Sequence, residues 1–335
     1  MSENDQLAIA FSTRGGYSAA ELADYAARAE ARGFRAVFVS ERSTDALALT
    51  QVLAEATTTI GVGTAITNVH LRHPASAALT VAAVDEAARG RLILGIGTGD
   101  PGYNRTVLDA APKPAIPMVR EWVEILRAAL EGGPVDHQGS VYRTHGLSTY
   151  RQPFRASVPL FIGAILPRML ALAGAIGDGV MYGLHSPAWV ERSTAIVRDA
   201  AEQAGRDPAE VTISCLIPCC VSDDADDAAR SARQVVAGYS RHPSAGRLFD
   251  AMGFAEDLAE VARHMEAGDV LAAAEAVPQV LADEFIVHGD VVACRSQLDE
   301  YRRAGVGLPI AFPMALGDGG WQRAALNALQ IADAD

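Results

Sequence analysis

Lysine is almost missing from this 335-residue chain: Lys113 is the only one, and arginine carries the rest of the positive charge. Twenty-eight Lys and Arg stand against 41 Asp and Glu, a formal net charge of −13 that argues against nucleic acid or an anionic membrane surface as a partner. Cysteine is scarce too. Cys215, Cys219, Cys220 and Cys294 form no CxxC pair, which disfavours a zinc ribbon or a disulfide framework and leaves buried free thiols as the expectation. No apolar run approaches the roughly 20 residues that span a bilayer, and Met1–Gln6 has neither the basic nor the apolar region of a signal peptide. The expected compartment is the cytoplasm. HExxH, GxSxG and P-loop signatures are all absent. His70 and His73 with Asp100 do not follow the His-x-His pattern of many barrel metal sites, so no metal is expected.

What is present is a rhythm. Half the residues are hydrophobic and 21% are charged, enough for a large core. Apolar runs at Leu7–Ser12, Ala36–Ser40, Thr59–Ile66, Arg91–Gly97, Val158–Ile162, Gly179–Tyr182, Val211–Val221 and Leu308–Pro313 read as strands, with a further short one at Phe285–His288. Helical patterns lie between them. Ser18 with Glu21 forms a capping-box signature, Gly33 stops the first helix, and Pro74 and Pro167 open two others. Alternating strand and helix implies a parallel sheet, and about eight such units favour a closed (β/α)8 barrel (TIM barrel, α/β class) over a doubly wound sheet. A long irregular loop is expected between Gly99 and the helix at Ile116–Glu131. The pattern breaks after strand four, where Val135–Tyr142 and Ser148–Arg151 suggest an insertion. A helical elaboration over Asp224–Asp283 separates strands seven and eight. Neither a linker nor an internal repeat divides residues 1–335, so one domain is expected.

In such a barrel, functional groups gather where strands end. The richest segment is Gly90-Arg91-Leu92-Ile93-Leu94-Gly95-Ile96-Gly97-Thr98-Gly99-Asp100, a buried strand opening into bare backbone and a carboxylate. Asp100 is the candidate acid/base group, with a turn at Asp100-Pro101-Gly102 as the plainer reading. The other strand ends supply Ser12, Thr13 and Arg14; Ser40, Glu41 and Arg42; Thr67, Asn68, His70 and His73; Gly163 and Ala164; and Tyr182, Gly183 and His185. Such a rim suits an extended polar cofactor. Plainer roles exist for several: wall packing for Gly95 and Gly97, helix capping for His73, a surface pair for Glu41–Arg42, and a turn for Gly177-Asp178-Gly179.

Leu71-Arg72-His73-Pro74, the 90–100 segment, Phe161-Ile162-Gly163-Ala164-Ile165-Leu166-Pro167-Arg168-Met169 and Gly177-Asp178-Gly179-Val180 together resemble the bacterial luciferase-like oxidoreductase superfamily, barrels that bind FMN or the deazaflavin F420. The resemblance covers nearly the whole chain. Thr64-Ala65-Ile66-Thr67-Asn68 and Gly97-Thr98-Gly99-Asp100 look most like its F420 branch, which includes methylenetetrahydromethanopterin reductases. That likeness implies a bulge with a cis peptide at Ala65–Ile66 forming a wall behind the ring. It also implies cofactor contacts from Ser40, Ala65, Ile66, Thr67, Asn68, Gly97 and Thr98, and a phosphate held by backbone amides near Gly163, Ala164, Gly179 and Val180. The implied reaction is hydride transfer between deazaflavin C5 and a small organic substrate. With FMN, a monooxygenase served by a separate flavin reductase is implied instead, and a cofactor-binding paralogue without activity is a third reading. Relatives commonly form homodimers. Two departures stand out: the methanopterin reductases carry an acidic residue in strand one where this chain has Ala10, and Lys113 by itself does not supply the basic groove that a long glutamyl tail of F420 implies, a part left to arginines.

Overall fold

Parallel pairing runs from the first strand round to the last and closes. In the computed structural model, which describes residues 7–149, 152–315 and 320–333, the strands in order are Ala8–Ser12, Ala36–Ser40, Gly61–Thr64, Leu92–Gly97, Leu160–Ala164, Gly179–Gly183, Thr212–Val221 and Leu308–Pro313. Ala8 pairs with Ala36 of the second strand on one side and with Ile310 of the eighth on the other, so the eight strands close into a barrel. This is the expected (β/α)8 barrel. The eighth barrel strand is Leu308–Pro313; Val287–Gly289 is a three-residue addition paired only with the end of the seventh, at Cys219–Val221.

Side-chain alternation fills two layers. Ala8, Ala10, Ala36, Phe38, Phe161, Met181, Ile310 and Phe312 form the barrel interior. Their neighbours Ile9, Phe11, Val37, Val39, Leu94, Ile162 and Cys215 face outward onto the helices. The four cysteines are buried and free. Among the described residues, no helix is long and apolar enough to cross a membrane.

Local signals set the helix boundaries. Ser18 and Glu21 make the reciprocal capping box of Ala19–Ala31, Asp45 caps Ala46–Ala56, and His73 Nδ1 accepts from Ala75 N ahead of Pro74–Ala87. The stretch after the fourth strand differs from expectation. A six-residue helix, Pro101–Thr106, starts directly after Asp100, and only then does a loop lead to Ala115–Glu131. Proline at the first helical position and a capping Asp make such a helix possible in a stretch too short to show periodicity.

The insertion is an antiparallel hairpin, Val135–Gln138 with Arg143–Leu147; the expected piece Ser148–Arg151 falls partly outside the described residues. Glu121, on the long helix, fastens its turn: Ser140 N and Oγ donate to Oε1 at 2.8 and 2.6 Å, and Val141 N and Tyr142 N donate to Oε2 at 2.9 and 2.8 Å. The elaboration comprises helices Ala225–Ser240, Pro243–Ala251, Ala255–Glu266, Val270–Glu275 and Gln279–Phe285, with a core of its own in which Phe249 meets Phe285 edge-on at 5.1 Å.

Glycines let the third and fourth strands approach. A Cβ on Gly63 would lie 2.0 Å from the Ile93 carbonyl oxygen, and one on Gly95 2.1 Å from that of Thr64. Gly95→Ala should therefore cost about 2 kcal/mol or more. Gly238→Ala, in an open helical position with nothing near, should gain about 0.5–1 kcal/mol. Urea midpoints of the two variants moving in opposite directions would check this.

A second outcome concerns pH. Burial alone would raise the Glu121 carboxyl, but the donors of Ser140, Val141 and Tyr142 outweigh it and bring it from 4.5 down to about 2. A carboxyl lowered in the folded state stabilises above its unfolded value. That contribution, roughly 3 kcal/mol, should vanish as pH falls from about 4.5 to about 2, and Glu121→Gln should lose this part of the acid transition in a circular-dichroism titration.

Candidate active site at the carboxyl end of the barrel

The mouth is lined with small residues. Continuing the inward register, Ser12 pairs with Ser40, while Gly97 and Gly163 follow Ile93 and Phe161 on neighbouring strands. The third strand breaks between Thr64 and Thr67, and there the Ala65–Ile66 peptide is cis, as the resemblance implied. Ile66 leans across the gap. Its Cδ1 lies 3.0 Å from where a Cβ of Gly97 would be, and its Cγ2 3.2 Å from that of Gly163. One apolar side chain thus lies against two bare backbones, and a Cβ at 97 or 163 would force it to yield by a few tenths of an ångström.

Behind that wall sits Glu41. Its side chain is 2% exposed. Oε2 accepts from Thr67 Oγ1 at 2.5 Å and Asn68 N at 2.8 Å; Oε1 accepts from Ala46 N at 3.1 Å and pairs with Arg72 Nη2 at 3.0 Å. Arg72 also reaches Asp45 at 2.5 Å. The adjacent Glu41–Arg42 pairing weighed from the sequence does not form, because the two side chains part to different partners. Arg42 goes to Asp100, Nη1 to Oδ2 at 3.0 Å, and lies over the Tyr103 ring at 5.2 Å. The Glu41–Arg72 pair had no signal in the sequence beyond the presence of both residues near strand ends.

Asp100 reaches the rim, yet both its oxygens have work. Oδ1 accepts from Gly102 N at 2.7 Å and Tyr103 N at 3.3 Å, capping the short helix, while Oδ2 holds Arg42. Burial would raise its pKa, but Arg42 and the two amides prevail and keep the carboxyl below the usual carboxylate range. It is therefore ionised at neutral pH and unsuited to donating a proton. Where a turn at Asp100-Pro101-Gly102 was expected, Asp100 caps the short helix Pro101–Thr106.

Other expected site residues divide. Thr67 and Asn68 lie at the bulge but serve the scaffold: Asn68 Nδ2 donates to Asn104 Oδ1 at 2.7 Å, and Asn104 Nδ2 donates to the Thr98 carbonyl at 2.7 Å. Gly99, at φ +63°, leaves room for Asn68, whose Nδ2 would be 2.6 Å from a Cβ there. Ala164 ends its strand at the mouth, but its side chain belongs to the outer core. Gly179 and Val180 are corrected. They begin the sixth strand, Gly179 pairing with Phe161 and Thr212 at the barrel's far end, and a Cβ on Gly179 would strike the Phe161 ring at 2.7 Å. The same strand presents Gly183 at the mouth instead. His185 is also structural: stacked on Tyr182 at 4.6 Å, with Nε2 2.8 Å from Ser193 Oγ, it is pushed down to about 4 by burial and stays neutral. His70, His73 and Asp100 form no metal cluster among the described residues.

The elaboration adds charge that its sequence did not announce. Burial and then repulsion from Arg42 lower the Arg14 guanidinium, which also feels Tyr239, Asp100 and Arg241. His242, lowered by burial, feels Asp100, Arg42 and Arg247. Thus Tyr239, Arg241 and His242, at the end of helix Ala225–Ser240 and just beyond it, border the rim formed by strands one, two and four.

Fold and rim define a parallel barrel with a glycine-flanked wall and polar strand ends at one mouth. The chain belongs to the luciferase-like monooxygenase family, which it matches over residues 7–307. It is 30% identical over 292 residues to 5,10-methylenetetrahydromethanopterin reductase of Methanolobus tindarius, covering 85% of this chain and 88% of that one. In structure it resembles the coenzyme F420-dependent tetrahydromethanopterin reductase of Methanopyrus kandleri, with a TM-score of 0.84 at 23% identity over 98% of both chains. An F420-dependent secondary alcohol dehydrogenase aligns at a TM-score of 0.77 and 21% identity, covering 98% of this chain and 99% of that one.

Removing the buried anchor gives a direct test of the wall. Glu41→Ala should cost about 3 kcal/mol or more, since it strands Arg72 and the donors of Thr67 and Asn68. Adding Arg72→Ala should cost less than the sum of the single losses, measured by chemical denaturation in a double-mutant cycle.

Proposed function

We propose that this chain is an oxidoreductase that binds the deazaflavin F420 at the barrel mouth and exchanges a hydride between it and a small organic substrate. The observation that carries this reading is Ile66 laid over Gly97 and Gly163 beside the Ala65–Ile66 bulge, a surface shaped for one face of a planar tricyclic ring. The relatives named above, F420 enzymes by their descriptions, support it.

Bound there, F420 would supply a two-electron hydride donor or acceptor at C5. The chain's part is to hold and shield. Ile66 would back one face of the ring, and Ser12 and Ser40 would offer hydroxyls beside it. On this reading the phosphate would lie at the end of strand five, Gly163–Ala164; the helix that follows, Pro167–Ile176, has no side-chain cap at its N-terminus, which supports it. Asp100 is assigned to the substrate side as an ionised carboxylate that accepts a proton or orients a water and fixes Arg42. Ala10 is buried among Ala8, Phe38 and other apolar residues of the barrel interior, so the acidic group of the methanopterin reductases has no counterpart there and a different substrate is proposed.

The same wall would accept the isoalloxazine of FMN, and the family's name keeps a monooxygenase as the second reading. Reconstitution with F420 and FMN side by side separates the two. Retention of F420 with its single visible band supports the proposal; retention of FMN alone, with a two-banded flavin spectrum, replaces it. Asp100→Asn keeps an oxygen for the helix cap but loses the charge on Arg42. It should lower the rate of F420 oxidation or reduction at least tenfold, with the F420 dissociation constant changed less than threefold. An unchanged rate would leave Asp100 a helix cap only.

A further inference from the structure

Beside the mouth lies a cavity of about 560 Å³ between the end of the third strand and the insertion hairpin, lined by His70, Arg72, His73, Lys113, Tyr142 and Arg143. It is contiguous in sequence with the bulge, since Val69 and His70 directly follow Asn68, and Val69 N donates to the Gly97 carbonyl at 2.9 Å. In a chain of net charge −13, no carboxylate contributes to its lining.

The charges there are unbalanced. Arg72 is committed to Glu41 and Asp45, but Lys113 and Arg143 have no ion-pair partner among the described residues. Lys113 Nζ stands 5.0 Å from the centre of the Tyr142 ring, and His73 meets the same ring edge-on at 5.3 Å. Glu121, behind the hairpin turn, is taken up by the turn's backbone and hydroxyl, with His137 at 3.7 Å. Burial and Lys113 lower His70, so it is a neutral hydrogen-bonding group at neutral pH. Volume, polarity and surplus positive charge agree in type.

We infer that this cavity is an anion-binding site, in which Lys113 and Arg143 hold a carboxylate- or phosphate-bearing group while Tyr142 and the two imidazoles line its walls. Two sources can present that chemistry beside the mouth: the glutamyl tail of F420, an assignment that rests on the proposed function, or the acidic end of a small-molecule ligand.

The test is calorimetric titration of the full chain with γ-linked triglutamate and with inorganic pyrophosphate, repeated on Lys113→Gln/Arg143→Gln. Both substituted side chains are exposed, and far-UV circular dichroism checks that the fold is kept. The expected result is saturable binding by the parent, weakened at least tenfold in the double variant. No saturable binding of either probe, or parent-like binding by the variant, overturns the inference. F420 and the same deazaflavin without phosphate and tail are then titrated in parallel. Weaker F420 binding with unchanged binding of the tail-less form assigns the site to the tail. Unchanged F420 binding alongside lost triglutamate and pyrophosphate binding assigns it to an acidic small molecule. Should neither deazaflavin bind the parent, the cofactor reading fails, while the two anion titrations still decide the cavity.

Discussion

The Glu41 carboxylate is the fixed point of the mouth. Almost wholly removed from water, it joins the end of strand two, the broken third strand through Thr67 and Asn68, the start of helix Ala46–Ala56 and the Arg72 guanidinium. A buried carboxylate lacking any of these partners would carry a desolvation cost that the Coulomb term could not repay. With all of them it holds four chain segments in one arrangement. Ile66 occupies its position because the residues on either side are tied down: Ala65 N to the Val39 carbonyl, and Thr67 to Glu41.

Backbone approach is the second constraint. Strands three and four come so close that Gly63 and Gly95 have carbonyl oxygens where side chains would be. Further along the strands, the same lack of side chains at Gly97 and Gly163 turns a packing necessity into a surface. Family likeness implied that Gly163 lies near a phosphate held by backbone amides. Its missing Cβ instead leaves space for Ile66, so a substitution there acts on the ring wall first.

Polar residues at the rim are mostly occupied with one another. Asn68 with Asn104, Asp100 with Arg42, His185 with Ser193 and His73 with its own helix are satisfied pairs that rigidify the strand ends. Positive charge stands near the mouth in two places, at Arg14 and Arg241 on one side and at Lys113 and Arg143 on the other. Cations there without a carboxylate partner favour anionic ligands at that side of the mouth.

By itself the sequence determined the barrel. Period-2 and period-3.6 patterns, the Ser18–Glu21 box, Pro74 and Pro167 act over a handful of residues, and eight alternating units leave few ways to close a sheet. The Ala65–Ile66 bulge was legible only through family likeness. The short helix at Pro101–Thr106 was missed because six residues carry no period, and Gly179 and Val180 were misplaced because a glycine motif does not say which end of its strand faces the mouth. Tertiary structure alone decided the partners. Glu41 took Arg72, 31 residues away, and Arg42 took Asp100, 58 residues away, over each other. Neighbouring strand residues point to opposite faces, so side chains adjacent in sequence separate and distant ones meet when the barrel closes.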